Sequence, residues 1–239
     1  MNIINIVKTK SYLRVGLAVL ICFSLSACAP RIAKMVTKGD KFPLLYEEAP
    51  ASILILPPIN ESTAADAKDY YATTIQEPLT FWGYYVFPYE ITTEILKMEG
   101  IYDSELMKNL PLQKFREYFG TDAVLFTTIK KWNLSYAVFA ANLTISINCE
   151  LKSTKSNATL WQYNGTVVVD LSGQSSSGGI AGLIAKAIAT AISSAMVDYV
   201  PHARRANYMA LRSFPYGKYH PLYGKDREQK FSEQARQEE

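Results

Sequence analysis

The chain has 239 residues, with 25 lysines and arginines against 22 aspartates and glutamates; three of the bases and none of the acids fall in the first 27 residues. Residues 28–239 are therefore formally neutral, which removes any electrostatic argument for nucleic-acid binding, and they suffice for one domain that buries its own core. Of the three cysteines, Cys22 and Cys28 lie in or at the end of the export segment read below, so Cys149 stands alone and an internal disulfide is excluded.

The N-terminus carries Lys8, Lys10 and Arg14, then an apolar run from Val15 to Leu25, then the small-residue site Leu25-Ser26-Ala27-Cys28. That order is a secretory signal peptide, residues 1–27. Its apolar run falls short of the roughly 20 residues that cross a bilayer. Because the site ends in cysteine it reads as a bacterial lipobox. The Cys28 thiol then takes a diacylglycerol, the peptide is cut before it, and the new amine is acylated with a chain such as palmitate. Several acyl chains give stable anchoring where one does not. In lipoproteins an aspartate directly after the lipidated cysteine signals inner-membrane retention. Ala29 and Pro30 follow here, which points to the outer membrane, with the chain facing the periplasm.

Residues 28–50 show no helical or strand period and hold Pro30, Pro43 and Pro50. They read as a lipidated tether whose extended reach is roughly 70 Å. Its bases Arg31, Lys34, Lys38 and Lys41 suit either anionic headgroups beside the anchor or simple solubilising charge.

A domain over residues 51–200 is expected to open at Ser52–Leu56, an apolar run closed by Pro57-Pro58 and therefore a strand buried on both faces. A helix from about Ala64 to Trp82 follows, with Pro78 expected to kink or restart it near Glu77. Gly83 ends it, and Tyr84–Pro88 forms a second strand, making a βαβ unit. Helices are predicted over Glu90–Met98 and Leu112–Phe119, closed by Gly100 and Gly120, with Pro111 at the start of the second. A third strand begins at Asp122 and runs to about Leu134. From Leu143 to Leu151 every odd residue is apolar and every even one polar, and Trp161, Tyr163, Val167, Val169 and Leu171 resume the odd face. This predicts a long antiparallel hairpin with one wet face, and places Cys149 on the dry one. The expected fold is α/β: a mixed sheet of N-terminal parallel βαβ strands and a C-terminal antiparallel hairpin, with helices packed on it.

Ser172–Gly179 reads as a linker and Ile180–Val200 as an Ala- and Ile-rich helix stopped by Pro201. Lys186 and Asp198 would be costly in lipid, so this helix is expected to pack on protein. Residues 201–224 form an aromatic tail. It offers either an interface or a cover for its own domain. Residues 225–239 are charged and expected to be disordered.

The residues that carry chemistry are sparse. His202 and His220 both stand beside prolines, and neither shares ligand spacing with Cys149. Gly173–Gly179 has the glycines of a phosphate loop without its lysine. Glu47-Glu48 and Asp66 with Asp69 fall in the tether and on a helix face. With no nucleophile, base and orienting group at a telling spacing, the chain is expected not to be an enzyme, and no metal or cofactor is called. Cys28, as a lipidation site, is the one site residue.

Four stretches carry a family likeness: Ile53-Leu-Ile-Leu-Pro-Pro-Ile-Asn-Glu-Ser62, Pro78-Leu-x-x-x-Gly83-Tyr-Tyr-Val-Phe-Pro88, Phe119-Gly-x-Asp-Ala-Val124 and Leu160-Trp161. Together they resemble the DUF799 family of bacterial outer-membrane lipoproteins, of the meningococcal surface-antigen type. The resemblance implies a fold similar to the TolB N-terminal domain and to the periplasmic part of the lipoprotein CsgG. It also implies an accessory role in an envelope transport or secretion assembly, with envelope-protein partners such as a CsgG-like lipoprotein. The small residues of the 180–200 helix suggest a homo-oligomer, and the charge balance gives no argument for nucleic acid. The resemblance supplies no catalytic residues. A periplasmic module for a small or lipidic ligand is the alternative, and an envelope hydrolase the weakest reading.

Overall fold

A computed structural model of the chain describes residues 35–102, 104–137, 140–170 and 200–232. The signal segment, Cys28, the Gly173–Gly179 stretch and the expected 180–200 helix up to residue 199 lie outside these described residues.

The sheet has strands β2 (Ser52–Ile55), β3 (Ile59–Asn60), β4 (Tyr85–Val86), β5 (Ala123–Ala137), β6 (Ala140–Ser153) and β7 (Thr159–Asp170), in the order β4-β2-β5-β6-β7, with β3 also pairing β5. β2 runs parallel to both β4 and β5, whereas β5, β6 and β7 pair antiparallel. This is the expected mixed α/β sheet. Ile53, Leu54, Ile55 and Leu56 are all buried, as a strand covered on both faces requires. In the hairpin Leu143 faces Val169, Ile145 faces Val167, Cys149 faces Tyr163 and Leu151 faces Trp161. The odd residues from Leu143 to Leu151 are buried, and the even ones reach solvent. A shift of one residue would exchange the two faces, so burial fixes the register.

Helices cover both faces. On one side, α3 (Ala67–Phe81) and α7 (Val200–Ala210) pack Tyr71, Ile75, Leu79, Ala203, Ala206 and Ala210 over the core that holds Trp161 and the odd hairpin residues. The alanines let α7 approach α3 closely, and the buried Asn207 amide donates to Thr74 Oγ1 at 2.9 Å across the join. On the other side, α4 (Tyr89–Met98), α5 (Ser104–Lys108) and α6 (Leu112–Phe119) seat Leu96, Met107, Leu112 and Phe115 on Leu54, Leu56 and Val124.

The family-like stretches turn out to be folding devices. The Asn60 side chain accepts from the Ser62 N–H and hydroxyl and donates to the Ala64 carbonyl, closing the loop ahead of α3. The Asp122 carboxylate accepts the N–H groups of Ala51 and Ser52, fixing the start of β2 against β5. Gly83 has φ +86°, and a Cβ there would lie 2.4 Å from the His220 nitrogen. Trp161 is buried against Phe42 and Phe214, and its Nε1–H donates to Ser213 Oγ.

Several expectations are corrected. The tether does not extend to residue 50. Residues 35–48 form β1 (Met35–Thr37), α1 (Lys38–Lys41) and α2 (Pro43–Glu48), with Lys38, Phe42, Leu45 and Tyr46 buried. The charged tail is ordered through residue 232, because β8 (Lys230–Ser232) pairs antiparallel with β1. The folded unit thus begins at Met35 rather than residue 51. Pro201 does not stop a helix; it is the second residue of α7. Pro78 does not break α3, which continues to Phe81 and bonds the Trp82 N–H to the Pro78 carbonyl. Its missing N–H deprives only the Thr74 carbonyl of an intrahelical partner.

Candidate functional site

The sequence assigns one site residue, Cys28, and it lies outside the described residues. The other candidates take structural roles. His220 stacks on Tyr216 with ring centroids 3.8 Å apart, and its Nδ1 accepts the Leu222 N–H. Glu48 accepts the hydroxyls of Ser153 and Ser156. Asp66 stands at the N-cap of α3 without a side-chain cap bond. His202 lies on α7. No group of three His, Cys, Asp or Glu that could hold a metal occurs among the described residues.

Cys149 sits where the alternation placed it. Its Sγ is 3.5 Å from the Tyr71 hydroxyl and 3.7 Å from that of Thr127. Burial pushes the thiol up to about 11, against the smaller lowering by those two hydroxyls. A neutral, enclosed thiol is a packing group and not a nucleophile.

The aromatic tail folds back on its own domain. Phe214 is buried, its carbonyl accepts the Trp82 indole N–H at 3.0 Å, and the Tyr84 hydroxyl donates to the Pro215 carbonyl. The backbone of Gly217 and Tyr219 docks on the Trp82 and Gly83 carbonyls. Tyr219, Leu222 and Tyr223 remain exposed.

Beneath the tail lies a charged contact that sequence reading missed. Lys38, 2% exposed, donates from Nζ to the Phe214 carbonyl at 2.9 Å and to Asp226 Oδ2 at 3.3 Å. The same carboxylate oxygen accepts the Tyr216 N–H. Burial lowers the Lys38 pKa, and Asp226 works against that. Tyr46 is raised, first by burial and then by Asp226, and the Arg227 guanidinium lies 4.7 Å from its ring centroid. The two ends of the folded unit are thereby clasped together. In the sequence its two charges lie in stretches that read as unstructured.

Two surface features remain. α4 buries Thr92 and Leu96 but exposes Ile91 (60%), Ile95 and Met98 (85%), one stripe at helical spacing, followed by exposed Tyr102 (76%) and Leu106. The neighbouring edge strand β4 adds exposed Tyr85. Separately, an open cleft of about 310 Å³ is lined by Lys108, Gln113, Phe126, Glu150, Lys152 and Asn157, among others. Among the described residues, no helix is long and apolar enough to cross a membrane.

Comparison with known proteins bears on these features. The chain is 29% identical over 185 residues to a Neisseria meningitidis serogroup B protein named as lipoprotein NMB1124/NMB1162, covering 77% of this chain and 81% of that one. The crystal structure of lipoprotein GNA1162 from Neisseria meningitidis is 27% identical, with a TM-score of 0.47, and covers 62% of this chain and all of that one. A PelC dodecamer from Paraburkholderia phytofirmans is 14% identical, with a TM-score of 0.35, over 65% of this chain and 85% of its own. The family model of the GNA1162-like lipoproteins matches residues 42–217, and by that match the chain belongs to the GNA1162-like lipoprotein family.

Proposed function

We propose that this chain is a lipoprotein anchored through Cys28 in the outer membrane and facing the periplasm. There it acts by protein–protein contact as an accessory of a transport or secretion assembly. The observation that carries the contact role is the exposed apolar stripe Ile91, Ile95, Met98, Tyr102 and Leu106. Large apolar side chains exposed together along one helix face suit an interaction surface. Glu90, Glu94 and Glu99 border it against Lys97, which is paired with Glu94. The complementary partner is therefore an apolar surface of another envelope protein rimmed by bases.

A photo-cross-linking residue at Met98 of the full chain, in intact cells, tests this. It should yield a discrete adduct that disappears in the Ile91→Glu background and is not formed from Glu117, an exposed position on α6. Equal adducts from both positions, or none from Met98, would overturn the reading. The cleft beside Lys108 and Lys152 favours a second reading, a module for a small anionic ligand. Its volume is at the low end of ligand pockets. Saturable binding of a small anion, lost in Lys108→Ala, would favour it.

A further inference from the structure

The clasp leaves a basic, aromatic surface next to the point where the chain departs toward its anchor. β8 lies on β1, with Lys230 opposite Thr37 and Ser232 opposite Met35, and the Gly39 N–H donates to the Arg227 carbonyl. Across the tail, Lys218, Tyr219, Leu222, Tyr223, Lys225, Arg227 and Lys230 are exposed. The acids in this stretch are Asp226, buried on Lys38, and Glu228. Met35 itself is 56% exposed. All these positions fall outside residues 42–217, the span that the family model matches.

We infer that this tail surface, residues 218–230 with Met35, lies against the anionic headgroups of the bilayer that holds the anchor. The inference rests on the lipidation of Cys28 proposed above. Two observations carry it. The first is length: only seven Cα steps separate Cys28 from Met35, so Met35 sits within about 25 Å of the anchored cysteine. The 22-residue tether read from sequence would have left the domain free of the surface; the folded arm removes that freedom. The second is charge: the stretch presents four bases against one solvent-facing acid. Bases near an anionic membrane surface attract its lipids within a Debye length. Tyrosines with one apolar and one wet end suit the headgroup depth.

The test uses residues 28–239 carrying Cys28→Ser, which keeps every residue of the folded unit and removes the acyl chains. Sedimentation with vesicles of phosphatidylethanolamine and phosphatidylglycerol should show binding that vesicles of phosphatidylcholine do not, and that high salt abolishes. Lys218→Glu/Lys225→Glu/Lys230→Glu should weaken it roughly a hundredfold while leaving the unfolding midpoint unchanged. Should that variant fail to fold, the three Lys→Gln changes should still weaken binding at least tenfold. In parallel, labelled palmitate is fed to cells making the wild type or Cys28→Ser. If label enters the wild type alone but vesicle binding is absent or indifferent to the lysines, the membrane-facing surface is wrong and the anchor stands. If no label enters the wild type, the anchor reading falls and this inference falls with it.

Discussion

Replacing Asp226 by alanine isolates the clasp. The substitution removes the carboxylate from a lysine that is 2% exposed and leaves its ammonium with the Phe214 carbonyl and the face of the Tyr216 ring, whose centroid is 4.9 Å away. It also strips the Tyr216 N–H of its acceptor. Breaking a buried ion pair from one side costs about 3–5 kcal/mol, because the remaining charge stays desolvated and unpaired. Against a total stability of about 5–15 kcal/mol that is a large share. With a urea slope near 2 kcal/mol/M, the unfolding midpoint should fall by about 2 M. The double change Lys38→Met/Asp226→Leu removes both charges together and should recover most of the loss. Glu117→Ala, which breaks the exposed Lys114–Glu117 pair, should move the midpoint by less than about 0.5 M. Urea titration of the chain from residue 28 with Cys28→Ser, followed by tryptophan fluorescence, reads all three. A shift below about 0.5 M for Asp226→Ala would show that arm and tail contribute nothing to the fold, and the reasoning would fail.

Two other outcomes follow from the same structure. Gly83→Ala should destabilise by at least about 2 kcal/mol and expose the tail to proteolysis, because φ is +86° and the new Cβ meets backbone. Gly100→Ala, at φ +81° with open space around it, should cost about 1 kcal/mol and leave the tail protected; equal losses at both would refute the steric account. The Cys149 thiol, raised from 9.0 to about 11, binds its proton more tightly in the folded state than in the unfolded one. Its contribution is therefore whole below about pH 9 and is lost as pH rises through about 11, by roughly 3 kcal/mol in all. Cys149→Ala should flatten the fall of stability across that window in chemical denaturation at stepped pH. An unchanged slope would mean the thiol is not enclosed as described.

What could be read in advance was what leaves a period. The apolar run Ile53–Leu56 and the alternation from Leu143 to Leu151 record burial on two faces and on one, so strand type and the face each side chain takes followed from them. Five-residue α5 is too short for a helical period, and it was missed. The arm and the tail failed for another reason. Their elements are three to six residues long, and each is stabilised by a partner at the far end of the chain. Composition records Lys38 and Asp226 as two solvated charges; only the fold turns them into a buried pair. The cluster Phe42, Leu45 and Tyr46 was a signal that the prolines around it outweighed. Ile91, Ile95 and Met98 lie on a different face of α4 from Thr92 and Leu96, and nothing local says which face the sheet takes.

The clasp also sets an order of events. Lys38 and Asp226 are 188 positions apart, and a chain made at roughly 5–20 residues per second presents the second of them some 10–40 s after the first. Until then the lysine has no counter-ion and the arm no strand to pair with. Closing so long a loop is a late and slow step. A nascent chain released before residue 226 therefore differs from the finished one in more than length: β1 has no strand to pair with and Lys38 no carboxylate, and the arm rests on its contacts with Ser153, Ser156, Trp161 and Phe214.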